Sequence, residues 1–267
     1  MSAVDLEAEY DNRARVTGSV AILARWLEAA EAARAELPVE RDIAYGPSPR
    51  QVYDFFSAGA GSAAPLAVYI HGGYWQRGHG HDYAFVAREL LKRGVSVAIP
   101  SYTLCPAVSI ADIVAEMEQF IAALLAKTKC QPVIIGHSAG GHLAALLMAK
   151  GHIKAAIGLS GVYDLAPLIA TSLNAALGLD ATTARSLSPM LQPKPAHARI
   201  FVAAVGGDES SEFLRQSRDL AAAWEGGGVT ARYEPVAGAN HFTIVDELCR
   251  ADSKIIDCAV GLAEALV

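Results

Sequence analysis

The sequence predicts an α/β fold: a mostly parallel central sheet with helices on both faces. Two observations carry this. Short apolar runs at 66–70, 94–100, 132–135, 155–160, 199–205 and 229–236 alternate with longer amphipathic stretches such as 82–93, 110–126 and 210–224. Strands separated by helices require crossover connections, and right-handed crossovers build a parallel sheet covered on both sides. The second observation is local. The run 132–135 enters Gly136-His137-Ser138-Ala139-Gly140, and Leu143, Ala144, Leu147 and Met148 follow at helical spacing. This is a strand, a sharp turn and a helix, with a serine at the tip.

Composition bounds the alternatives. The chain has 267 residues, 52% hydrophobic and 19% charged, enough for one large domain over 1–267 and too apolar for disorder. A net charge of −6 without a Lys/Arg block argues against nucleic acid. The acidic start, Met1-Ser2-Ala3-Val4-Asp5-Leu6-Glu7, has no signal-peptide pattern, and no apolar run reaches membrane length. Cys105, Cys130, Cys249 and Cys258 show neither C-x-x-C nor zinc spacing, which reads as free thiols in a cytoplasmic protein.

Taken in order, residues 1–40 form an N-terminal helical segment. Its first 17 positions are polar with little pattern, and 18–37 is an amphipathic helix with Val20, Leu23, Leu27, Ala30 and Leu37 as the apolar positions, closed by Pro38. Residues 41–45 and 51–56 read as two early strands around a Gly-Pro-Ser-Pro turn. The strand 66–70 ends in His71-Gly72-Gly73-Tyr74-Trp75. Residues 161–198, with weak helical periodicity and three prolines near the end, are expected to be a small helical cap over the pocket.

The chemistry follows from what the serine needs. G-x-S-x-G after a strand is a nucleophile elbow, its glycines required where side chains would collide. H-G-G after an early strand supplies backbone N–H groups for an oxyanion, so Gly72 and Gly73 are candidates together with Ala139, the residue after Ser138. A hairpin turn is the bland reading of the same glycines. Asp208, just past the strand 199–205, is the expected orienting acid; the alternatives are Asp208 as a helix cap and Glu209 as the acid. His241 is the only one of eight histidines on a loop after the last strand and completes the order Ser, Asp, His. By loop position, Tyr74, Trp75, Tyr102, Tyr163, Asn174 and Phe242 are expected to line the pocket. His79 and His81 have no third ligand nearby, so no metal is expected, and acyl transfer through serine requires no cofactor.

With these residues in view, the sequence resembles the arylformamidase (kynurenine formamidase) group of the α/β-hydrolases. The likeness rests on HGGYWQ at 71–76, GHSAGGHLA at 136–144, SGVYDLAPL at 160–168, GGDESSEF at 206–213, NHFTIVDEL at 240–248 and LEAEYDNRARV at 6–16. The resemblance implies hydrolysis of an aryl formamide such as N-formylkynurenine. A carboxylesterase for short-chain esters is the alternative reading, and a non-catalytic ligand-binding relative the remote one. The expected partner is a small ester or formamide, with no nucleic acid and no membrane; whether the chain forms a homodimer stays open.

Overall fold

The computed structural model describes residues 4–59, 64–196 and 200–267. Arg199, expected to open a strand, and residues 197–198 of the expected cap lie outside the described residues, as do residues 1–3.

Eight strands form one sheet: β1 (Val39–Ala44), β2 (Val52–Phe56), β3 (Leu66–Ile70), β4 (Ser96–Pro100), β5 (Val133–His137), β6 (Ala155–Leu159), β7 (Ile200–Gly206) and β8 (Thr230–Val236). Their spatial order is β1-β2-β4-β3-β5-β6-β7-β8. The first two pairings, β1 with β2 and β2 with β4, are antiparallel, and all others are parallel. The central strands are buried at every position because both faces are covered. Val68 and Ile70 pack into one core, beneath α5 (Ile110–Thr128), α6 (Ala139–Ala149) and α9 (Ser211–Trp224). Ala67 and Tyr69 pack into the other, beneath α3 (Ser19–Glu36), α4 (Ala87–Lys92) and α10 (Lys254–Glu264). The period-two alternation of a strand thus divides the interior into two cores.

Three expectations change. The helix expected over 82–93 is a 3-10 turn, Gly80–Val86, running into α4. On α3, Val20 and Leu27 are exposed, and the buried side is built from Ser19, Trp26, Ala30 and Ala33. The first 17 residues hold two short helices, α1 (Leu6–Tyr10) and α2 (Asn12–Arg15), each opened by an aspartate cap. Between β6 and β7 lie two 3-10 turns flanking α7 (Asn174–Leu177) and α8 (Ala181–Leu187).

The parallel strands β3 to β8 point their C-terminal ends toward one edge, where loops of an open α/β sheet form a crevice.

Candidate active site

Ser138 stands between β5 and α6 with φ 55° and ψ −117°, outside the regions favoured by a side-chain-bearing residue. The turn closes this tightly because its flanks carry no side chain. A Cβ on Gly136 would lie 2.1 Å from the carbonyl oxygen of Gly140, and one on Gly140 would lie 2.0 Å from that of Ile70 in β3. The serine N–H donates to the Leu159 carbonyl at 2.9 Å, so the ladder to β6 continues past the end of the strand.

His241 Nε2 lies 3.2 Å from Ser138 Oγ, and Nδ1 lies 2.7 Å from Glu209 Oε2. An ionised carboxylate only accepts, so Nδ1 carries the proton and Nε2 presents a lone pair to the serine. His241 is fixed by its neighbours. The Asn240 side chain accepts from the N–H groups of Phe242 and Thr243, an Asx turn that bends the loop around the histidine. His137 Nε2–H donates to the His241 carbonyl at 2.7 Å. Burial lowers the His137 pKa to about 3, which keeps that ring neutral beside His241.

The carboxylate at His241 is Glu209, not Asp208. The stretch after β7 is zipped to the end of β8 and the loop beyond it: Gly207 N–H donates to the Val236 carbonyl at 2.8 Å and Asp208 N–H to that of Ala239 at 3.0 Å. This pairing turns Asp208 into solvent and the next side chain inward, buried, toward the histidine. The cap reading of Asp208 does not hold either. The first turn of α9 is met by Glu9 from the N-terminal segment, which accepts from Ser211 Oγ at 2.7 Å and Glu212 N–H at 2.8 Å. Glu209 Oε1 accepts from the Gly206 N–H at 2.9 Å and from Ser160 Oγ. Ser160 has φ 51° at the end of β6, and its N–H donates to Ala204 of β7, which aims its hydroxyl at the glutamate.

The H-G-G loop lies directly over the serine. A Cβ on Gly72 would come within 2.9 Å of Ser138 Cβ. His71 is wholly buried, its pKa lowered to about 3 by burial, so the neutral ring donates from Nδ1 to the Gly72 carbonyl at 2.7 Å. Ala139 opens α6, where N–H groups of the first turn have no intrahelical acceptor.

A cavity of about 450 Å³, within the range of small-molecule sites, reaches Ser138 and His241. Tyr74 and Phe242 line it as expected. The other four expected lining residues do not. Trp75 turns inward with φ 57° and packs edge-on against His142. Tyr102 is buried, stacked on His71 at 4.3 Å, and donates to the His71 carbonyl at 2.9 Å. Tyr163 is buried against Phe201. Asn174 donates to the Leu179 carbonyl at 3.0 Å and ties its own loop. From the expected cap, Ser172 and Leu173 reach the cavity. Arg77, Asp82 and Tyr83 follow from the stretch after the H-G-G loop, and an N-terminal wall adds Tyr10, Asn12, Arg13 and, from α3, Leu23 and Trp26. Asn12 donates to the Tyr74 hydroxyl at 3.1 Å, which donates to the Tyr10 carbonyl at 2.8 Å. Trp26 Nε1–H donates to Asp246 at 2.9 Å, joining α3 to the turn after His241. His79 and His81 do not line the cavity; they stack on one another, His79 against Ser101 Oγ at 2.7 Å.

Comparisons with known proteins give the family and the fold. Kynurenine formamidase of Drosophila melanogaster is 32% identical over 234 residues, covering 80% of this chain and 78% of that protein. The chain belongs to the kynurenine formamidase family. The corresponding protein of Danio rerio is 30% identical, covering 82% of this chain and 80% of its own length. The BD-FAE family model matches residues 54–176. Among solved structures, a Silicibacter protein assigned as a thioesterase superposes with a TM-score of 0.88 at 30% identity, covering 96% of this chain and 98% of that one. An esterase of the bacterial hormone-sensitive lipase family, at 17% identity and a TM-score of 0.69, covers 92% and 98% and shares the fold. Membership of this family and this fold make the chain an α/β-hydrolase enzyme. Among the described residues no helix is long and apolar enough to cross a membrane.

Proposed function

We propose that the chain hydrolyses an aryl formamide, such as N-formylkynurenine, through an acyl-enzyme on Ser138. The observation that carries this is the continuous line from Ser138 Oγ through His241 to Glu209, set at the floor of an aromatic-lined cavity. His241 accepts the serine proton during attack on the formyl carbonyl, and Glu209 holds the imidazole in the tautomer that can accept it. The imidazolium then donates its proton to the leaving arylamine. Water, deprotonated by the same histidine, releases formate and restores the serine.

The oxyanion is received by the N–H groups of Gly73 and Ala139. In a trans peptide the carbonyl and the next N–H point opposite ways. Because His71 holds the Gly72 carbonyl on its own side, the Gly73 N–H is directed away from it. That favours Gly73 over Gly72 as the donor. Free thiols at all four cysteines suit a reducing cytoplasm, where we place the reaction. A short-chain carboxylesterase would use the same groups, and the esterase neighbours keep that reading as the alternative.

The test is steady-state turnover of N-formylkynurenine beside p-nitrophenyl acetate, with Ser138→Ala as the blank. A kcat/KM of about 10⁴ M⁻¹s⁻¹ or more on the formamide, above that on the ester, is expected. Ester turnover alone would replace the formamidase reading by the esterase one. Unchanged turnover in Ser138→Ala would remove both.

A further inference from the structure

We infer that Arg13 and Arg77 form an anion-reading rim on this cavity, so that the preferred aromatic substrate carries a carboxylate away from the carbonyl under attack. This rests on the serine-hydrolase reading above and deepens it. Both arginines are exposed residues lining the cavity. Among the described residues neither guanidinium forms an ion pair or a hydrogen bond; Arg13 is engaged through its carbonyl and Arg77 through its backbone N–H. Other arginines behave otherwise: Arg15 pairs with Glu9, Arg215 with Glu212 and Arg250 with Glu247.

The acids along the same cavity are Glu7, Asp11 and Asp82, and each is engaged by the chain itself. Glu7 accepts from the Ser172 N–H at 2.8 Å and from its hydroxyl at 2.5 Å. Asp11 caps α2 through the Ala14 N–H at 3.0 Å. Asp82 accepts from the His79 N–H at 2.9 Å and lies 3.3 Å from His81 Nε2. Among the described residues, the charged donors without a partner on this cavity are therefore the two guanidiniums. Their planar forks match a carboxylate in two-point contact.

Placement adds direction. The Arg77 stem lies against the loop of the oxyanion donor, with its Cγ 2.9 Å from where a Cβ on Gly73 would be. Arg77 follows the H-G-G loop and Arg13 lies on α2, so two separate segments bring them to the cavity. An aromatic ring held among Trp26, Tyr83 and Phe242 would leave a charged substituent at this rim. Binding energy gathered there, remote from the reacting carbonyl, serves to orient it.

The test compares N-formylkynurenine with its carboxamide, which removes the charge at nearly constant shape. It also compares kynurenine with kynurenine amide as inhibitors of p-nitrophenyl acetate turnover. Wild type, Arg13→Gln, Arg77→Gln, the double variant and an Arg13→Lys/Arg77→Lys control are measured. The expected wild-type preference for the carboxylate is about 10-fold, expressed mainly in KM and in the inhibition constant, the size suited to exposed charge pairs. The double Gln variant brings that ratio to about one, and the Lys control restores part of it. A wild type without preference, or a double Gln variant that keeps it, overturns the rim. If wild type hydrolyses the ester and not the formamide, the formamidase reading falls while the inhibition ratio still decides the rim.

Discussion

The two walls of the cavity are built by different means. At the edge of the sheet, the chemistry is held by backbone: Ser138 N–H on Leu159, Ser160 N–H on Ala204, Gly207 N–H on Val236 and Asp208 N–H on Ala239. The opposite wall, residues 4–36, is held largely by side chains. Glu7 reaches Ser172, Glu9 reaches the start of α9, Asn12 reaches Tyr74, and Tyr10 donates to Glu212 at 2.9 Å. Ladder hydrogen bonds place atoms rigidly and survive most substitutions, whereas side-chain tethers each depend on one residue. The comparison assigns reaction rate to the first wall and substrate selection to the second.

The largest expected effect lies on the rigid wall. Glu209→Gln should lower kcat about 10⁴-fold by favouring the wrong tautomer of His241, while Asp208→Asn changes it by less than about two-fold. Equal effects would erase the distinction between these neighbours. Next comes the tethered wall: removing residues 1–17 should cut kcat/KM on an aromatic formamide about 10²-fold through misplacement. The smaller p-nitrophenyl acetate should lose much less, and a parallel loss on both substrates would mean that this segment supports the serine itself.

Ser160→Ala, which withdraws one donor from the buried Glu209, should cost about 10-fold in kcat with little change in KM. Asn12→Ala should raise KM for the aromatic substrate about five-fold at unchanged kcat, the value of one tether. A fall in kcat instead would place Asn12 with the rigid wall.

A separate effect is on stability. Burial lowers His71 and His137 to about 3 and His142 to about 4, whereas an unfolded chain titrates histidine near about 6.5. Between these values the unfolded state binds protons that the folded state refuses, so stability is full above about pH 6.5 and falls as pH decreases. Thermal denaturation should give a flat Tm above pH 6.5 and a falling one toward pH 5. A Tm that rose on acidification would contradict the neutral buried rings.

The same contrast explains what was legible in the sequence. The elbow is a five-residue device with Gly136 closed against Gly140 four positions on, and His241 is marked by its place after the last strand. Which of Asp208 and Glu209 faces inward depends on the pairing of 207–208 with 236–239, which no local pattern records. The N-terminal wall was silent for a related reason. Glu7, Glu9 and Asn12 find partners more than sixty positions away, and polar residues bonded at such range leave no periodicity. Trp75, Tyr102 and Tyr163 share another cause: loop position places a residue near the sheet edge but does not say which way its side chain turns. Positive φ at Trp75 and stacking of Tyr102 on His71 turned both into the interior.

The central claim is that Ser138 is activated by His241 and Glu209. Its most direct test is the rate at which a fluorophosphonate labels the serine, followed by mass spectrometry of the peptide containing Ser138, in wild type, Asp208→Asn and Glu209→Gln. Labelling of Ser138 at matching rates in the first two and slowing by several orders of magnitude in Glu209→Gln is the predicted result. Labelling at another residue, or a Glu209→Gln protein that labels as fast as wild type, would contradict the account.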